Sequence, residues 1–255
     1  MPTGMELPHG VCTKRTVIIT IDGPAGTGKS TVGLRLGRHF HWRYIDSGAM
    51  YRALAFCAQK RGISWADEQA LVRLGMALRF DFTLGERGSL IAVDGRDMTQ
   101  AIYTRSIGLG ASQVATLGGV REVLVHKQRT LAQGRGIVMD GRDIGTVVFP
   151  QADVKFYLDA SPEVRGERRW RELQAQGERV SLDEVIAEIR RRDHEDRTRE
   201  VSPLRVPEGA YCIDTTHLSI DEVLTVMVDK IHFSGISFCD ADLRLERDAC
   251  YRPHP

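Results

Sequence analysis

The chain's densest chemistry lies between Gly23 and Thr31. GPAGTGKS at Gly23–Ser30 satisfies G-x-x-x-x-G-K-[ST] without a mismatch. Gly23, Gly26 and Gly28 let the backbone turn so that several N–H groups point at one anion. Pro24, Ala25 and Thr27 complete the loop, and Thr31 follows it into a helix whose N-terminus adds positive charge. Lys29 is expected to reach the β/γ-phosphates of a nucleoside triphosphate, and Ser30 to help hold Mg2+. The loop needs a strand before it and a helix after it. Thr16–Ile21 is an apolar, β-branched run of strand length, and Thr31–Leu36 reads as a helix start.

The second concentration of chemistry is arginine. Arg165, Arg168, Arg169, Arg171 and Arg179 follow the apolar run Val154–Leu158, and Arg190, Arg191, Arg192, Arg197, Arg199 and Arg205 come next. Acids interleave with them, so most belong to a solvated, salt-bridged face and not to a nucleic-acid surface. Arg192 and Arg199 are seven residues apart, which predicts one helical face, with Asp196 between them to hold both guanidiniums. Two fixed guanidiniums make a bidentate clamp for phosphate. Arg142 and Asp143 follow the strand-like run Gly136–Asp140, and Ser47 follows Asp46 at the end of another. Strand ends of this kind line the ligand crevice of open α/β sheets, so the P-loop, Ser47, Arg142 and Asp143 are expected to converge.

No histidine among the eight has a recognisable catalytic spacing. A phosphate acceptor needs no base, because its second pKa is about 6 and its oxygen is already ionised. An arginine-rich P-loop chain without a base therefore points to a nucleoside monophosphate kinase before a sugar or alcohol kinase. The sequence contains no asparagine. It has no N-K-x-D guanine-reading motif and no H-R-D-x-x-x-x-N loop of protein kinases, which leaves small-molecule kinases ahead of motor and remodelling ATPases.

These residues need a parallel sheet to position them. Strand-like runs at Thr16–Ile21, His41–Ile45, Gly136–Asp140, Val154–Leu158 and Ala210–Asp214 alternate with helical periodicity at Ala49–Arg61, Trp65–Leu78, Ser112–Gln133 and Ile220–Ile231. Gly118-Gly119 interrupts the third of these helices. Ser181-Leu182-Asp183-Glu184 is a capping box that opens another. Leu78–Phe82 and Ser89–Val93 alternate and predict a small antiparallel sheet inserted among the helices. Asp-Gly-Arg-Asp occurs at Asp94 and at Asp140 in unlike surroundings and reads as coincidence.

The net charge of +1 creates no global field for nucleic acid or an anionic membrane, and no apolar run reaches the about 20 residues of a membrane span. The five cysteines Cys12, Cys57, Cys212, Cys239 and Cys250 form no C-x-x-C motif. Free thiols fit a reducing cytoplasm. The absence of heptads gives no reason for a coiled-coil dimer, and a monomer is expected.

The motifs together resemble bacterial cytidylate (CMP/dCMP) kinase. The resemblance rests on IDGPAGTGKST at Ile21–Thr31, YIDSGAMYRALA at Tyr44–Ala55, VREVLVHKQR at Val120–Arg129, MDGRDIGTVVFP at Met139–Pro150 and RRDHEDRTREVSPL at Arg191–Leu204. It implies an α/β P-loop NTPase fold of three layers, with a parallel sheet, an inserted antiparallel monophosphate-binding region and a short helical lid. Residues 16–233 would form the domain, with 78–115 as the insert, 159–174 as the lid and tails at 1–15 and 234–255. By position, Gly23–Thr31 would hold ATP with Mg2+. Ser47, Arg142 and Asp143 would lie nearest the cytosine of CMP or dCMP, and Arg52, Arg121 and Arg192 would take its phosphate. Arg199 would face the transferring group beside Lys29, and Arg165, Arg168 and Arg169 would close over the phosphates. Ala25 replaces a usual serine, Gly166 a usual alanine, and Pro207–Ala210 a usual Ala-x-Asp-Ala, which leaves the donor-base neighbourhood open. Another small-molecule P-loop kinase, such as a UMP/CMP-type enzyme, and a non-enzymatic NTP-dependent regulator are the alternatives.

Overall fold

A computed structural model describes residues 16–85, 88–133 and 136–236 of the 255-residue chain. Cys12, Cys239, Cys250 and nearly all of both expected tails lie outside the described residues. The first unit is β1 (Val17–Asp22), α1 (Lys29–His39), β2 (Arg43–Asp46) and α2 (Ser47–Lys60), followed by α3 (Glu68–Ala77). Then come β3 (Phe80–Gly85), β4 (Gly88–Val93), β5 (Arg96–Asp97), α4 (Arg105–Val114) and α5 (Gly118–Leu131). The chain closes with β6 (Gly136–Gly141), a π-helical turn (Ile144–Val148), β7 (Val154–Asp159), α6 (Pro162–Ala175), α7 (Leu182–Thr198), β8 (Tyr211–Asp214) and α8 (Ile220–Phe233).

Five strands form one parallel sheet in the order β2-β6-β1-β7-β8. β1 is central, and its neighbours come from later in the chain, so the P-loop leaves the sheet at a topological switch point. Alternating side chains serve two cores. Ile19, Ile21, Tyr44, Val138 and Phe156 pack with Val32 and Leu36 of α1 and Val223, Met227 and Ile231 of α8. Ile45, Ile137 and Met139 pack with α2, α3, α4 and α5 on the other face. This gives the expected three layers. The expected small sheet is also present, as the antiparallel order β3-β4-β5.

Several boundaries differ from the periodicity. The stretch Ser112–Gln133 is two helices. Thr104 caps α4, and Gly118 opens α5 instead of interrupting a helix. α3 begins at Glu68, not Trp65, because the Asp67 side chain accepts a hydrogen bond from Ala70 N at 3.0 Å. The two Asp-Gly-Arg-Asp copies do unlike work. Asp94 and Gly95 make the β4–β5 turn, both with positive φ, whereas Asp140–Asp143 ends a buried parallel strand. Among the described residues no helix is long and apolar enough to cross a membrane.

Each of the five parallel strands carries an aspartate at its carboxyl end: Asp22, Asp46, Asp140, Asp159 and Asp214. The register places Asp46 beside Asp140 and Asp159 beside Asp214. Backbone N–H groups of the outgoing loops and helices are freed at this edge, and the carboxylates of Asp22, Asp46, Asp159 and Asp214 accept from some of them. α7 and α8 both open with a complete capping box, the second from Ser219 and Glu222. Ser219→Ala is expected to cost about 1 kcal/mol. That is about 2–4 °C of thermal midpoint for a domain of this size, and thermal unfolding followed by circular dichroism measures it.

Candidate active site

The P-loop adopts the conformation its glycines permit. Gly23, Gly26 and Gly28 have φ of 144°, 80° and 90°. A Cβ on Gly23 would lie 2.0 Å from the Leu158 carbonyl oxygen, so β7 leaves room only for glycine. Lys29 is buried and its Nζ donates to Pro24 O at 2.5 Å. Burial, and Arg142 nearby, lower its pKa. The Ser30 hydroxyl donates to Asp140 Oδ2 at 2.9 Å, and Tyr44 donates to Asp140 Oδ1 at 2.7 Å. Burial and then Asp46 raise the Asp140 pKa.

A cleft of about 550 Å³ opens in front of this loop. Ala25, Gly26, Gly28, Lys29, Ser30 and Thr31 line one side of it. Ser47, Arg52, Arg121, Arg142, Asp143, Arg169, Arg192 and Arg199 are among the residues that line the remainder, so the expected convergence occurs. Gly23, Pro24 and Thr27 do not line the cleft. Ser47 is buried at the start of α2 and donates to Asp140 O at 2.6 Å. Arg52 stacks on Tyr103, its guanidinium carbon 5.2 Å from the ring centre, and donates to Ile102 O.

The clamp differs from the one expected. α7 ends at Thr198, and Arg199 is its extended cap with φ −57° and ψ 141°. Asp196 accepts from Arg142 Nε at 2.8 Å and lies 3.6 Å from Arg199. It therefore holds Arg142 and Arg199, not Arg192 and Arg199. Burial would raise the Asp196 pKa, but Arg142, Arg192 and Arg199 hold it below the usual carboxylate range. Arg192 Nε and Arg199 Nη2 are buried with no hydrogen-bond partner. Burial and the Arg142 charge push Arg192 down to about 10. Buried N–H donors without an acceptor are costly, and an anion entering the cleft would satisfy these two. Arg121 is paired with Asp143 in a buried ion pair and lies over the Tyr51 ring.

The arginines of α6 divide. Arg165 was expected to close over phosphates, yet it is 1% exposed and engaged on all three nitrogens. It meets Asp193 at 2.9 and 2.6 Å, Ala160 O at 2.8 Å and Ala25 O at 3.2 Å. Arg168 donates to Thr215 O at 2.7 Å, and Thr215 in turn donates to Thr27 O. A loop whose N–H groups converge on an anion turns its carbonyls outward, and these arginines satisfy them from behind. Arg169 lines the cleft, with an exposed ion pair to Glu172. Pro207–Ala210 does not reach the cleft. Pro207 leans on the turn at Gly145.

Sequence reasoning missed Asp22, Asp140 as a partner of Ser30, and the cleft residues Tyr51, Tyr103 and Ser112. The aspartate at every strand end was the available signal for the first two.

A P-loop at the switch point of a parallel sheet, facing a second cluster of cations across one cleft, defines a P-loop phosphotransferase with two anionic substrates. The family model described as cytidylate kinase matches residues 19–233. Cytidylate kinase of Pseudomonas savastanoi pv. phaseolicola is 45% identical over 222 residues, 86% of this chain and 97% of that protein. Those of Pseudomonas entomophila and Stutzerimonas stutzeri are 46% and 44% identical, covering 81% and 86% of this chain and 92% and 96% of theirs. The chain belongs to the cytidylate kinase family, and it is an ATP-dependent kinase.

Arg165→Ala tests the brace. It leaves Asp193 buried and unpaired, a change that costs about 3–5 kcal/mol. The thermal midpoint is expected to fall by roughly 10 °C. A midpoint within 2 °C of the wild type, together with lost turnover, would return Arg165 to a role on the substrate.

Proposed function

We propose that the cleft transfers the γ-phosphoryl group of ATP to CMP or dCMP, giving ADP and CDP or dCDP in one in-line step. The observation that carries this is the convergence of Lys29, Arg52, Arg142, Arg192 and Arg199 on one cleft that also contains a P-loop. Two polyanions must approach there. Repulsion between unit charges 4 Å apart is about 4 kcal/mol at an effective dielectric of 20, so several fixed cations are required. The acceptor phosphate is already ionised and needs no general base.

Gly23–Thr31 holds the ATP phosphates on backbone N–H groups. Lys29 and Arg199 lie against the transferring group and stabilise its developing charge. Arg52 and Arg192 take the CMP phosphate. Arg169 is the lid arginine that faces the phosphates, while Arg165 and Arg168 support the donor loop. Cytosine presents an amino donor at N4 and acceptors beside it. The Asp143 carboxylate, fixed by Arg121, accepts from the amino group, and Arg142 and Ser47 serve the acceptors. Uracil would turn an oxygen toward Asp143 in place of that donor, and the mismatch disfavours UMP.

Mg2+ fits the donor set. The Ser30 hydroxyl and the Asp140 carboxylate stand 2.9 Å apart at the mouth of the P-loop. Mg2+ characteristically takes one or two protein oxygens, with waters and phosphates completing its shell. No group of three His, Cys, Asp or Glu suited to a dedicated metal cage occurs among the described residues. Bound with ATP, the ion would supply charge neutralisation between the β- and γ-phosphates.

ADP release measured across CMP, dCMP, UMP and AMP tests the reading. CMP or dCMP should exceed UMP in kcat/KM by tenfold or more, and preferred use of AMP would overturn it. Arg142→Ala should weaken CMP binding at least tenfold while changing ATP binding less than threefold, measured by calorimetry. Equal loss of both would remove Arg142 from the acceptor side.

A further inference from the structure

We infer that Asp22 is a positioning residue that ties the acceptor-reading turn to the donor loop. Asp22 is the last residue of β1 and directly precedes Gly23. Its side chain is fully buried. Oδ1 accepts from Ile144 N at 2.7 Å and Oδ2 accepts from Gly145 N at 2.7 Å. Those N–H groups open the π-helical turn that follows Arg142 and Asp143. The first N–H groups of any helical turn lack partners within it and need a cap.

The residue placed to cap this turn is Asp143, an aspartate at the N-cap. It makes no side-chain cap bond. Its carboxylate is paired with Arg121 at the cleft. Asp22 therefore does from the neighbouring strand what Asp143 would otherwise do locally, and this frees the Asp143 carboxylate for the cleft. Both oxygens of Asp22 are required, because two donors face them. An asparagine would keep one acceptor and turn an NH2 group against an N–H.

The junction has no slack. A Cβ on Gly145 would lie 2.9 Å from Pro207 Cγ, 2.9 Å from Thr20 Oγ1 and 3.1 Å from Asp22 Oδ2. The turn is thus held between Asp22 on one strand and the Pro207 segment before β8. Arg142 and Asp143 inherit their placement from it. This inference rests on the acceptor role of Arg142 and Asp143 given above.

The test is calorimetric binding of CMP and of ATP to wild type, Asp22→Asn, Gly145→Ala and Arg142→Ala, with steady-state kinetics on each. Asp22→Asn is expected to raise the CMP Kd tenfold or more and the ATP Kd less than threefold. KM for CMP should rise more than kcat falls. Gly145→Ala disturbs the same junction with every charge intact and should give the same pattern; it carries the test alone if Asp22→Asn does not fold. If Asp22→Asn and Gly145→Ala weaken ATP and CMP equally, or change neither while Arg142→Ala weakens CMP, the inference is overturned and the acceptor reading stands. If Arg142→Ala leaves CMP binding unchanged, the acceptor reading falls and the inference falls with it.

Discussion

The parallel pairing of β1 with β6 is the contact on which the cleft depends. Its register sets Asp22 opposite Gly141, so the P-loop and the turn bearing Arg142 leave the sheet side by side. All six residues of β6 are buried. Side chains on a strand alternate between faces, so a one-residue slip would turn Asp140 away from Ser30 and Tyr44 and send Met139 out of its core. The apolar alternation that stabilises the sheet is thereby the same feature that aligns donor and acceptor chemistry. β7 completes the frame from the other side, where its Leu158 carbonyl leaves no room for a side chain at Gly23.

Electrostatics decide what that frame can hold. Lys29, Arg52, Arg192 and Arg199 are all held below their usual pKa range, with burial the leading cause in each. Neighbouring cations add to the effect. Desolvating several cations together is unfavourable, and the protein offsets only part of it, mainly through Asp196 between Arg142 and Arg199. What is left over is a buried excess of guanidinium donors. Such an excess favours ligands that are themselves multiply charged and able to accept two hydrogen bonds at once. Phosphate meets those terms.

Much of this was legible in the sequence, and the failures have a common physical origin. The P-loop, the parallel alternation, the small sheet and the capping box at Ser181 are local patterns, and local patterns survive folding. Partner choice across long separations is not local. Asp196 lies four residues from Arg192 but binds Arg142, 54 residues away, because β6 delivers Arg142 to α7 at the cleft. The end of α7 at Thr198 moved Arg199 off the helical face without removing it from the site. Arg165 looked like its neighbours because an arginine that braces a loop and one that grips a ligand have the same spelling. Burial distinguishes them, and no single sequence reports it.

The division of labour along α6 follows from helix geometry. Arg165 lies at the N-terminal end of α6, close enough to the P-loop for its Nη1 to reach Ala25 O, while Asp193 of α7 accepts from both terminal nitrogens and Ala160 O from Nε. Arg169 is four residues on, a rise of about 6 Å, which carries it past the loop to the mouth of the cleft. One helix thus braces the P-loop through Arg165 and Arg168 and carries Arg169 to the cleft. The arrangement couples the two. A displacement of α6 that moved Arg169 at the cleft would also pull on the carbonyl of Ala25 in the P-loop.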